Sequence, residues 1–111
     1  MSHAEIVKEA ERLFKVHRRD ILGSSRYGFV VQVRHAVFLA LRLRGNSFPQ
    51  VGRYLDRDHS TIIYGCRKAH AQMQIDPEYR EKIKALVEWK PTPVKLPKAA
   101  PKNEFLLEDA W

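Results

Sequence analysis

The chain has 111 residues, a formal net charge of +7 and a single cysteine, Cys66. That length suits one domain plus a tail, and a lone cysteine excludes an internal disulfide framework or a cysteine-only metal cage. No stretch approaches the roughly 20 apolar residues of a membrane span, and Met1-Ser2-His3-Ala4-Glu5 lacks the basic-then-apolar layout of a secretory signal, so a soluble, cytoplasmic protein is expected.

Caps and periodicity predict an all-α domain. Ser2-x-x-Glu5 has the capping-box pattern, and Ile6, Ala10, Leu13, Phe14 and His17 follow on one stripe. Asp20-Ile21-Leu22 reads as a single short turn closed by Gly23, and Ser24–Gly28 as loop. A long helix is expected from about Phe29 to Arg44, with Val30, Val33, Val37, Ala40 and Leu41 inward and Gly45-Asn46 at its end. Ser47-x-x-Gln50 is a second capping box, with Pro49 in the first turn, where its missing N–H costs nothing. Asp56-Arg57-Asp58 interrupts this short helix. Asp58 then caps a longer one, whose Ile62, Cys66, Ala69 and Met73 repeat at core spacing, and Ile63 is expected in the core beside them. Asp76-Pro77 opens a last helix with Tyr79, Ile83, Leu86 and Val87 inward and Trp89 closing it. Beyond it, residues 90–102 hold four of the six prolines and four lysines, so an extended linker is expected. The domain reading is therefore 1–89 for the helical domain and 90–111 for a linker and acidic-aromatic tail.

Charge is concentrated within the helical part. Between Lys15 and Lys68 stand eleven basic residues, nine of them arginine, against Asp20, Asp56 and Asp58. Arginine's planar fork suits phosphate and base edges, which favours nucleic acid over a merely solvated surface. A short helix, a tight turn and a longer helix make a helix-turn-helix, able to lay its second helix in the major groove. That corner alone is common; the polar run Arg57-Asp58-His59-Ser60-Thr61 at its second helix sharpens it.

Arg57-Asp58-His59-Ser60-Thr61-Ile62-Ile63-Tyr64-Gly65-Cys66-Arg67-Lys68 resembles the signature of the C-terminal DNA-binding domain (domain IV) of DnaA, the bacterial replication initiator, and Ser47-Phe48-Pro49-Gln50-Val51-Gly52 is similar to that family's scaffold helix. The resemblance covers about residues 4–89. It implies a DnaA domain IV or Trp-repressor-like helical fold that binds double-stranded DNA as a monomer, in transcription or replication initiation. It also implies roles: Asp58, His59 and Ser60 at base edges in the major groove, with Thr61 at phosphate or base nearby. Arg26 would enter the adjacent minor groove, eight residues before Arg34, which matches a family arginine expected at the start of its helix and is expected among the DNA-binding residues. Phe48 and Pro49 would touch DNA beside the recognition helix, and Arg57 and Lys68 lie near the backbone. The chemistry agrees: aspartate accepts from the cytosine amino group, hydroxyls serve either way, and a narrow A·T-rich minor groove attracts a lone arginine.

The pattern departs from the family in three places. The Arg26 loop holds fewer basic residues, a single Asp56 stands where the family has a glycine pair, and the link before Pro49 is one residue short; base preference is expected to differ accordingly. With no G-x-x-x-x-G-K-[ST] loop in the sequence, the initiator's ATPase module is expected to be absent. The five histidines show no metal-ligand spacing, and no catalytic constellation can be assembled, so neither a metal, a cofactor nor an enzymatic activity is expected. The alternative reading is a protein-interaction adaptor that recruits a partner through Phe105, Leu106, Leu107 and Trp111 in the tail.

Overall fold

The structure, a computed structural model, describes residues 3–88. Within them lie six helices: α1 (His3–Phe14), α2 (Arg18–Leu22), α3 (Gly28–Leu43), α4 (Phe48–Leu55), α5 (His59–Met73) and α6 (Pro77–Glu88), and no strand among the described residues. The expected all-α, helix-turn-helix fold is the observed one. Trp89, the linker and the acidic-aromatic tail, together with Ser2 of the first capping box, lie outside the described residues.

The fold is organised around α3. Val30, Val33, Val37, Ala40 and Leu41 are buried as the periodicity predicts, but so are Ala36, Phe38, Leu39 and Leu43. A helix apolar on nearly every side has to be enclosed, and α1, α2, α4, α5 and α6 all pack against it. From α1 come Ile6, Val7, Ala10 and Phe14; from α5 Ile62, Cys66 and Ala69; from α6 Tyr79, Ile83 and Leu86. Burial pushes the Cys66 thiol up to about 12, so it packs as a small apolar side chain. Ile63, expected in the core, is only half-buried.

Two helix ends are closed by side chains from outside the helix. His17 does not extend the α1 stripe: Lys15 turns the chain with φ 58°, and His17 is exposed and caps α2, its Nδ1 accepting from the Arg19 amide at 3.1 Å. Arg44, at the end of α3, caps a different helix. Its Nη1 donates to the Leu86 and Val87 carbonyls at 2.9 and 2.8 Å, closing the C-terminus of α6.

The close approach of α3 and α5 depends on Gly65. A Cβ there would stand 2.5 Å from a Phe38 ring carbon and 2.8 Å from His35 Cδ2, and Phe38 is itself fully buried. Without a side chain at Gly65 the α5 backbone packs directly against the Phe38 and His35 rings of α3.

Candidate nucleic-acid interface

The helix-turn-helix corner is assembled from short-range bonds. The Ser47 hydroxyl accepts from the Gln50 amide at 3.2 Å while the Ser47 amide donates to Gln50 Oε1 at 2.8 Å, so the capping box is complete. Asp56 ends α4 in the left-handed region, φ 57° and ψ 53°, a conformation aspartate tolerates better than most residues. The Arg57 amide then donates back to the Gly52 carbonyl at 2.8 Å. A Cβ on Gly52 would lie 2.5 Å from the Arg57 carbonyl oxygen, so the turn fits against α4 only because that residue is glycine. Asp58 opens α5, its carboxylate accepting from the Ser60 amide at 3.0 Å and from the Ser60 hydroxyl. Those two bonds hold the Asp58 carboxyl below its usual range.

Asp58, His59, Ser60 and Thr61 are all exposed, whereas Ile62 directly after them is fully buried. The polar tip of α5 therefore projects from a helix whose opposite side is anchored in the core. Pro49 is exposed beside it, and Pro49, Gly52, Arg53, Asp56, Arg57, Asp58 and His59 line one shallow concavity at the corner. Phe48 is half-buried, its ring packed on the core under the Arg42 guanidinium at 5.0 Å. Lys68 is exposed two turns along α5, with its ammonium 5.8 Å from the Tyr64 ring centroid. Tyr64, 58% exposed, was not among the expected site residues. Helical spacing nevertheless places it on one stripe with Thr61 and Lys68, and an aromatic at a solvent-facing position of that stripe was the available signal.

Arg26 is exposed in the loop between α2 and α3, next to Tyr27, which is 74% exposed. Arg34 lies elsewhere than expected. It sits in the second turn of α3 rather than at its start, and is only 8% exposed. Its guanidinium points inward: Nε donates to the Ile21 carbonyl at 2.9 Å, Nη1 to Ser25 at 2.9 Å and Nη2 to Asp20 at 2.7 Å. Burial, with the neighbouring Arg57 charge, lowers its pKa, offset in part by Asp20. Arg34 is thus a fastening of the loop, its guanidinium turned to main-chain carbonyls. Arg57 is half-buried and turned the same way, its Nη2 donating to the Leu22 carbonyl at 2.9 Å and also to that of Gly23.

His35 lies between the two regions, on α3 against α5, with its ring 6.1 Å from that of Tyr64 and 5.9 Å from that of Phe38. Burial, then the Arg34 and Lys68 charges, push its pKa down to about 4, so the ring is neutral at physiological pH. Among the described residues no group of three His, Cys, Asp or Glu side chains could hold a metal ion, and no helix is long and apolar enough to cross a membrane.

The family model described as bacterial dnaA protein helix-turn-helix matches residues 3–69. Among similar proteins, the chromosomal replication initiator protein DnaA of Jannaschia sp. (strain CCS1) is 33% identical over 84 residues, 74% of this chain and 18% of the relative. That of Acinetobacter baylyi is 32% identical over 89 residues, 78% and 19% respectively. That of Bradyrhizobium sp. (strain BTAi1) is 34% identical over 84 residues, 74% and 18%. The chain thus spans under a fifth of the length of these curated relatives. Over residues 3–69, from α1 into α5, the chain belongs to the bacterial dnaA protein helix-turn-helix family and is a DNA-binding module of that kind.

Proposed function

We propose that the chain binds duplex DNA with sequence preference, as a monomer, and acts on transcription or on the initiation of replication. The tip of α5 enters the major groove, where Asp58, His59 and Ser60 meet base edges and Thr61 a phosphate or base. Arg26 enters the adjacent minor groove. Phe48 and Pro49 flank the groove, and Lys68 lies along the backbone. The carrying observation is the contrast at the start of α5, where four consecutive exposed polar residues precede a fully buried isoleucine. Helix N-terminal N–H groups beside those side chains suit a phosphate oxygen. The relatives' role as chromosomal replication initiators supports the link to replication. A cytoplasmic, nucleoid-associated location belongs to the same reading.

The test is selection from a random duplex pool with the purified chain, followed by titration of the enriched sequence at several salt concentrations. One enriched motif is expected, with affinity falling steeply as salt rises. His59→Ala should weaken binding by about tenfold or more and relax preference at one or two positions, whereas Lys68→Ala should weaken all duplexes alike. Equal affinity for every duplex would sink the sequence-specific reading.

A further inference from the structure

The segment from Asp20 to Ser25 presents a run of main-chain carbonyls that two guanidiniums satisfy. Arg34, from α3, takes those of Asp20, Ile21 and Ser25, and Arg57, from the turn before α5, takes those of Leu22 and Gly23. The end of a helix as short as α2 leaves its last carbonyls without partners, and here side chains distant in sequence supply them. Arg57 is itself fixed, its amide bonded to Gly52 and its neighbour Asp58 capping α5. Arg26 follows directly after the held Ser25 carbonyl. One continuous set of bonds therefore joins the tip of α5 to the loop that carries Arg26.

We propose that Arg57, with Arg34, is a positioning residue that locks the Arg26 loop to the tip of α5, so that minor-groove and major-groove contacts are made as one unit at a set spacing. This rests on the DNA-binding reading above for its consequence, though not for its geometry. Two cations side by side are tolerated because five carbonyl dipoles converge on them. A lysine at position 57 keeps the charge but, as a compact ammonium, loses the planar fork directed at both carbonyls.

Arg57→Lys is the variant to examine, since Arg34→Lys alters a buried site and can compromise folding. In the DNA-free protein, amide order parameters at Ser24–Tyr27 should drop from rigid values of about 0.85 to below about 0.6, with those of α5 unchanged. Unchanged order at 24–27 would overturn the proposal. On the selected duplex, Arg26→Ala should weaken the wild-type chain about tenfold but the Arg57→Lys chain less than about threefold, because an unlocked loop has little left to lose. Equal penalties in both backgrounds would overturn it too, and would return Arg57 to a plain backbone contact. A wild-type chain without sequence preference would instead defeat the function proposed above, while the order-parameter measurement would still decide the lock.

Discussion

The helix-turn-helix corner and the α2–α3 loop both carry residues assigned to DNA, yet they are held by different means. At the corner the bonds that shape the turn and cap its helices are local: Ser47 with Gln50, Arg57 N–H with Gly52, Asp58 with Ser60. In the loop, the bonds that set its course come from residues 9 to 35 positions away. A locally capped corner should survive the loss of one distant partner, whereas a loop held by two arginines should not. The interface thus combines an element specified by neighbours in sequence with one specified by the packed domain.

Removing the loop's buried fastening should have the largest effect. Arg34→Met leaves the Asp20, Ile21 and Ser25 carbonyls without their donor and should cost about 2–4 kcal/mol of stability in urea unfolding. A loss under about 1 kcal/mol would show that water replaces the guanidinium, and the contrast between the regions would fail. Gly52→Ala attacks the corner at its one non-negotiable contact. The clashing partner is a main-chain carbonyl that cannot swing aside, so a cost of about 1–3 kcal/mol is expected. A neutral result would mean that the turn re-forms with α4 displaced.

Smaller changes sharpen the picture. Ser47→Ala should cost about 1 kcal/mol by removing the hydroxyl half of the capping box, leaving the loop untouched. His35 reports on the contact between α3 and α5. Its folded pKa near 4 lies below the ordinary 6.5, so between those values the unfolded chain binds the extra proton. His35 therefore lowers stability as pH falls from 6.5 toward 4, with no contribution to pH dependence above that window. Thermal midpoints of wild type and His35→Gln measured across it should converge toward the acid end, and parallel curves would remove His35 as the cause. The smallest effect is a gain: Asp56→Gly relieves a left-handed aspartate and should add about 0.5–1 kcal/mol.

Much of the fold was legible in the residues. Ser47, Asp58 and Pro77 announce helix starts through side chains that act within three positions, and Ile62, Cys66 and Ala69 announce a buried face through their spacing. The exposed polar tip at Asp58–Thr61 was legible for the same reason. Arg34 was not. Its matching position suggested a residue facing DNA, but a side chain with five donors serves protein carbonyls as readily as phosphate, and only the folded environment chooses. His17 misled in a similar way, since it continues the α1 period although Lys15 has already turned the chain.

Taken alone, the amino-acid order determined five capped or periodic helices and a short turn, a basic arginine-rich half and a polar helix tip, because each depends on neighbours a turn or less apart. Tertiary packing decided which arginines face solvent and which are spent inside, and where the Arg26 loop stands relative to α5. Those outcomes depend on carbonyls and rings brought together from distant parts of the chain, and no local rule counts them.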